Sequence, residues 1–123
     1  MSWLVVLIYA ALLIVITLVP WSVTDGVGRV DFLMHFASWS VLSFLTSIAV
    51  RRRVRSPIRI AVSASIGAII FGVLIEILQP LTGRTSDVAD LAADAIGAIA
   101  GALLGSAVMW FKHLPVDQSD DSE

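Results

Sequence analysis

The sequence predicts an all-α membrane protein, a bundle of four transmembrane helices with both termini in the cytoplasm. Three observations lead to this prediction: the composition, the spacing of the apolar segments, and the distribution of basic residues. Hydrophobic residues make up 58% of the 123 residues. The mean hydropathy of +0.92 lies well above the values of ordinary soluble domains. We therefore expect a single domain, a multi-pass protein of the cell membrane that contacts lipids.

Four apolar segments are separated by short polar turns. They cover about residues 3–19, 32–50, 60–79 and 88–111. Each segment approaches the roughly 20 residues with which a helix crosses about 30 Å of hydrocarbon. Pro20 and Pro80 follow the first and third segments, and proline ends a helix because it has no N–H donor. We expect a membrane domain over residues 1–113 and an acidic, disordered tail over residues 114–123.

Basic residues fall mainly on one side of the predicted bundle. Five arginines lie in the loop 51–59 and Lys112 follows the fourth segment, whereas the other two turns hold only Arg29 and Arg84. The positive-inside rule places the loop 51–59, and with it both termini, in the cytoplasm. This loop is interpreted first as a topology signal, and binding of anionic lipid headgroups is the alternative.

The composition also excludes several classes of protein. Cysteine is absent, which removes disulfides, thiolate metal sites and cysteine nucleophiles. Charged residues make up only 15% of the chain and the net charge is −2, so we expect no nucleic-acid partner.

The predicted topology brings polar residues from three segments to the outer end of the bundle. They are Asp31 and His35 of the second segment, Glu76 and Gln79 of the third, Arg84 of the next turn, and Asp87, Asp90 and Asp94 of the fourth. With about 100° of rotation per residue, the acidic face of the fourth helix continues into Gly97 and Gly101. Glycine at every fourth position allows helices to approach closely in lipid. The carboxylates are therefore expected to face the interior of the bundle.

Several of these residues also have a simpler explanation. Asp87, and less readily Asp90, can cap the fourth helix. Gln79 can end the third helix, and Arg84 can be an ordinary loop charge. Glu76 has no such explanation, since it neither begins a helix nor follows a basic residue.

Charge inside a membrane helix is costly, about 2.5–3.5 kcal/mol for an ionised residue at the centre. The carboxylates outnumber Arg84 and His35, so some must be protonated, hydrated or matched to a cation. Asp31, one helical turn before His35, is a candidate to orient the imidazole ring.

The order of these motifs resembles the VanZ-like family of small bacterial and archaeal membrane proteins. The motifs are DFLMHF at 31–36, EILQ at 76–79, GR at 83–84 and DVADLAADAIG at 87–97. The family pattern falls on Asp31, His35, Glu76, Gln79, Arg84 and Asp90, in a match over residues 31–101. The family is named for a protein linked to teicoplanin resistance, so the resemblance implies a role in the cell envelope and does not imply a particular reaction.

The sequence departs from the family pattern at three positions. Phe32 replaces a frequent lysine, Trp39 replaces a frequent tyrosine, and Asp94 replaces the usual asparagine. The site is therefore more acidic than the family pattern, and a ligand inferred for the family need not be shared.

Two functions from different classes fit these residues. In the first, the protein is a non-enzymatic envelope factor whose outward cavity binds a lipid headgroup, a lipid-linked precursor or a glycopeptide. In the second, it is a membrane enzyme whose carboxylates and histidine hold Mg²⁺, Ca²⁺ or Mn²⁺ and activate water against a lipid phosphate. Proton-coupled transport is a third possibility and requires oligomerisation. The resemblance favours the first function, with a ligand site formed by Asp31, His35, Glu76, Gln79, Arg84, Asp90 and Asp94.

Overall fold

A computed structural model describes residues 3–19, 28–84 and 87–111. These residues form helix α1 (Trp3–Leu18), helix α2 (Gly28–Val50), helix α3 (Pro57–Leu78), a 3-10 turn (Gln79–Thr82) and helix α4 (Val88–Phe111). No strand occurs in these three ranges. The predicted all-α architecture with four helices is confirmed, whereas the acidic tail 114–123 lies outside the described residues.

Two helices begin earlier than hydropathy predicts. Helix α2 starts at Gly28, before the expected residue 32, and α3 starts at Pro57, before the expected residue 60. Proline is favoured in the first turn of a helix because its missing N–H would have no partner there. Ser56, in an extended conformation, is the N-cap residue of α3. Hydropathy detects the apolar part of each helix and misses these polar first turns.

Three of the helices are long and apolar enough to cross a membrane: α2 from Val30, α3 together with the 3-10 turn, and α4. Many of their large apolar side chains are exposed, which is expected of helices in contact with lipid. Helix α1 is more apolar than these three but has only 16 residues, or about 24 Å of helix. Its crossing of the membrane stays a prediction, as does the cytoplasmic location of the termini.

Helices α2 and α4 run parallel to each other. Helix α3, which lies between them in sequence, runs antiparallel to both. Glycines make the α2–α4 contact very close: a Cβ atom at Gly97 or Gly101 would overlap the backbone of Phe36 or Ser40. Asp90 and Asp94 lie buried on the same face of α4 as these glycines. Backbone therefore packs directly against backbone, as small residues permit in membrane helices.

Helix α1 packs on the outside of this arrangement. Its Val6 and Leu13 join a buried apolar cluster with Trp39 of α2 and Ile75 of α3. The Tyr9 hydroxyl donates a hydrogen bond to the Ser38 carbonyl, at 3.2 Å. Because consecutive helices alternate in direction, the starts of α2 and α4 and the end of α3 meet at one end of the bundle.

Candidate ligand site at the acidic end of the bundle

Carboxylates from three helices gather at this end around one histidine. We call this group the acidic cluster; it consists of Asp31 and His35 of α2, Glu76 of α3, and Asp90 and Asp94 of α4. The parallel direction of α2 and α4 brings two helix N-termini together here. Their exposed N–H groups and dipoles favour negative charge, which offsets part of the cost of holding carboxylates near one another.

His35 forms the closest contact of the cluster. Its Nδ1 lies 2.9 Å from Oδ1 of Asp94, and both side chains are buried, with 6% and 1% of their surface exposed. A carboxylate only accepts hydrogen bonds, so Nδ1 carries the proton and donates it to Asp94. The orienting partner of the ring is therefore Asp94, although the sequence suggested Asp31.

The other ring nitrogen faces the remaining carboxylates. Nε2 of His35 lies 3.9 Å from Oδ2 of Asp90. One ligand atom each from Asp31, His35 and Asp90 can be chosen so that all three lie within 4.8 Å of one another. His35 and Asp90 are buried and Asp31 is partly exposed, so the group has one side near the surface.

Trp39 supports the histidine from one helical turn away. Its indole stacks on the His35 ring, with 5.7 Å between ring centroids and 18° between planes. Its Nε1–H donates to the Ala68 carbonyl of α3 at 3.1 Å. A Cβ atom at Gly72 would lie 2.7 Å from this Nε1 and 3.1 Å from Oδ2 of Asp94. Gly72 therefore leaves room for both the Trp39 indole and the Asp94 carboxylate.

Sequence reasoning did not include Trp39 or Gly72 in the site. The signal for Trp39 is its position four residues after His35, which places the two rings on one helix face. Gly72 lies on the same face of α3 as Ala68 and Glu76 by the same spacing.

Glu76 and Gln79 approach the cluster from the end of α3. Glu76 is buried and close enough to Asp90 for their charges to interact. Gln79 is 1% exposed, and neither its amide nitrogen nor its amide oxygen has a hydrogen-bond partner among the described residues. A buried amide normally makes hydrogen bonds, so Gln79 has unused capacity to contact a polar ligand.

Arg84 points to helix α1. Its Nη1 donates to the Thr17 carbonyl at 3.0 Å, near the end of α1, where backbone carbonyls lack helical partners. Within the described ranges it forms no ion pair with a carboxylate. The structure therefore brings Arg84 beside α1, and a direct ligand role for it stays a prediction.

Asp87 behaves as a helix cap. Its Oδ1 accepts a hydrogen bond from the backbone N–H of Ala89 at 2.9 Å, and its side chain is exposed. This is the geometry of an N-cap residue whose oxygen satisfies a free N–H of the first turn. Asp87 thus provides an exposed carboxylate near the acidic cluster with a structural role of its own.

The comparison with protein families agrees with these features. The family model described as VanZ/LLP1 matches residues 24–111, which contain three of the four helices, α2, α3 and α4. No curated protein and no solved structure matches the chain. A match over more than half of the chain, together with membrane-length helices, identifies the family: the chain belongs to the VanZ-like family of membrane proteins.

Proposed function

We propose that this protein is a non-enzymatic factor of the cell membrane whose acidic cluster binds a divalent cation and, through it, a polar ligand at the outer membrane surface. Candidate ligands are a lipid headgroup, a lipid-linked precursor or a glycopeptide. The observation that supports the cation is the orientation of His35 between two sets of carboxylates.

The hydrogen bond to Asp94 determines which ring nitrogen of His35 remains available to bind a metal ion. Since Nδ1–H donates to Asp94, the lone pair of a neutral ring lies on Nε2, on the side of Asp90 and Asp31. A lone pair beside carboxylate oxygens is repulsive unless a proton or a metal ion lies between them. The same arrangement, a histidine that donates its second N–H to a carboxylate, is typical of metal ligands, because it fixes the ring and raises its basicity.

One measured distance in the group suits a shared metal ion. Two donor atoms that share a metal at about 2.1 Å lie roughly 3 to 4.2 Å apart, depending on the angle between them. The 3.9 Å between Nε2 of His35 and Oδ2 of Asp90 falls in this interval. The two carboxylates suit Mg²⁺, Ca²⁺ or Mn²⁺, whereas an imidazole ligand is typical of transition-metal sites, so Mn²⁺ fits this mixed donor set best.

Three protein ligands would leave other coordination positions of the metal ion open for an external molecule. Phosphate oxygens are common partners of such ions, which connects the site to a lipid headgroup or a lipid-linked precursor. Asp31 is partly exposed and gives the site a route to the surface. The link to teicoplanin rests on the family resemblance: an acyl chain of the drug lies in the outer leaflet, where it meets this end of the bundle in the predicted topology.

Binding of Mn²⁺ to the purified protein in detergent tests the proposal, measured by the loss of the free Mn²⁺ signal in electron paramagnetic resonance. Asp90→Asn removes a metal ligand and should weaken binding at least tenfold. Asp94→Asn should weaken it about 10- to 100-fold, because the support of a ligating histidine has effects of this size. Asp87→Asn is the matched control, since it removes a nearby carboxylate that caps α4.

Binding that is absent in the unmodified protein at millimolar Mn²⁺, Mg²⁺ and Ca²⁺ would refute the proposal. An equal loss in Asp87→Asn and Asp90→Asn would also count against it, because general negative charge would then explain the effect.

The same geometry supports a second function, a metal-dependent enzyme that acts on a lipid phosphate. A metal ion with open positions activates water as well as binding phosphate. The two functions differ in one measurement, the release of phosphate from a purified lipid phosphate. Release that requires added divalent metal and is lost in Asp90→Asn would favour the enzyme.

A further inference from the structure

A second polar region lies at the end of the bundle opposite to the acidic cluster. The end of α2, the loop to α3, the start of α3 and the end of α4 surround a cavity of about 460 Å³. This volume lies within the range of small-ligand sites, roughly 300–1,000 Å³. We call it the basic pocket; it is lined by Arg51, Arg52, Arg55, Pro57, Ile60, Ser106, Met109 and Trp110.

No carboxylate among the described residues balances the charge of the basic pocket. Its three arginines are exposed, and none of them forms an ion pair with a carboxylate among the residues that the structure describes. The described aspartates and glutamates all belong to the acidic cluster or, as Asp87, lie beside it. Guanidinium groups bind phosphate through paired N–H donors, so the pocket suits a phosphate-bearing anion.

The start of α3 adds to this preference. Ser56, the N-cap residue, makes no side-chain hydrogen bond to the first turn of this 22-residue helix. The positive end of the helix dipole therefore lies beside the arginines without a capping oxygen. Ser106 of α4 donates its hydroxyl to the Pro57 carbonyl at 2.7 Å, which holds α4 against the start of α3.

The rest of the lining is apolar and lies next to the lipid. Ile60 and Met109 are buried, whereas Trp110 is 56% exposed in the last turn of a membrane-length helix. Tryptophan at this position is typical of the membrane–water interface. A soluble anion would make no favourable contact with these apolar side chains, whereas a phospholipid has both a phosphate for the arginines and acyl chains for the apolar lining. We propose that the basic pocket binds the phosphate of an anionic phospholipid, with its acyl chains along Trp110.

Native mass spectrometry of the detergent-purified full chain tests this proposal, with phosphatidylglycerol as the probe and phosphatidylcholine as the comparison. The double variant Arg52→Gln/Arg55→Gln removes two charges from the lining. Arg53→Gln/Arg59→Gln is the matched control, because it removes two exposed charges of the same loop that do not line the cavity. The two variants have equal net charge, so a general electrostatic effect is the same in both.

We expect the unmodified protein to retain phosphatidylglycerol in preference to phosphatidylcholine. The pocket variant should bind it at least roughly tenfold more weakly, because it loses charge-assisted hydrogen bonds to the phosphate. The control variant should lose less than fivefold.

Three results would overturn the proposal. They are equal loss in the two double variants, no preference between the two lipids, and displacement of the bound lipid by inorganic phosphate at about 10 mM, roughly tenfold above a Kd of 1 mM. The last result would identify the pocket as a site for a soluble anion.

Discussion

Substitution of Gly101 by alanine should separate α4 from α2 and disturb the acidic cluster two turns away. A Cβ atom at Gly101 would lie 2.7 Å and 2.8 Å from the backbone C and Cα atoms of Ser40, whereas ordinary contacts begin at 3.4 Å. The Ser40 carbonyl oxygen would lie closer still, so the two backbones must move apart by at least roughly 0.7 Å, since neither can rotate out of the way. If the movement extends to Asp94, its 2.9 Å hydrogen bond to His35 lengthens to roughly 3.6 Å, which is no longer a hydrogen bond.

Gly67 provides the matched control for this substitution. It lies in the middle of α3, and a Cβ atom there would meet no other atom within 4 Å. Alanine is favoured over glycine in a helix by up to about 1 kcal/mol, and both substitutions gain this preference. Only Gly101→Ala has the overlap, which costs about 1–3 kcal/mol in a packed core. The two variants should differ in stability by about that amount.

Thermal unfolding of the purified proteins in one detergent, followed by the fluorescence of their tryptophans, measures this difference. Gly67→Ala should unfold at the same temperature as the unmodified protein or above it, and Gly101→Ala several degrees below it. Mn²⁺ affinity should fall only in Gly101→Ala. Equal unfolding temperatures for the two variants would refute the close backbone contact, and unchanged Mn²⁺ affinity in Gly101→Ala would show that the contact does not position the acidic cluster.

Three further predictions concern the polar residues and the topology. Glu76→Gln keeps the size of the side chain and removes its charge, so under the proposed glycopeptide role the protein should still insert but no longer confer teicoplanin tolerance on a susceptible host. Asp87→Asn should confer it, because asparagine also caps a helix. The reverse pattern at equal expression would contradict the role of Glu76. Arg84→Gln removes the hydrogen bond to the Thr17 carbonyl and should speed proteolysis at the end of α1. Unchanged cleavage would show that this bond does not hold the end of α1 in place. A reporter active only outside the membrane should stay inactive when fused after Glu123, and activity would reverse the topology.

The helices of this protein could be predicted because hydropathy is a local property of the chain. The first turns of α2 and α3 could not, since Gly28 and Pro57 are not apolar and hydropathy gives no signal for a polar first turn. Hydropathy also assigned the short α1 the same status as the longer helices, although its 16 described residues are fewer than a typical span.

Helical spacing predicted the faces of the candidate site, but not the pairs within it. Asp31 and Asp94 both lie within reach of His35 by sequence reasoning, and the choice of Asp94 depends on how closely α2 and α4 approach. The partner of Arg84 could not be predicted either, because the Thr17 carbonyl is a backbone acceptor, and every residue has one whatever its side chain. Local patterns thus identify the polar residues, and packing distances decide which of them meet.

The parallel pairing of α2 and α4 also constrains the order of assembly in the membrane. His35 and Asp94 are 59 residues apart, and α3 must cross back between them before they can meet. Helices of a membrane protein first insert one by one and then associate. Until α4 inserts, His35 lacks its hydrogen-bond partner Asp94. Asp90 and Asp94, near the start of α4, in turn lack the histidine until α4 packs against α2. Synthesis that stops before α4 therefore leaves α1, α2 and α3 with an incomplete site, and the site is complete only when the last helix is in place.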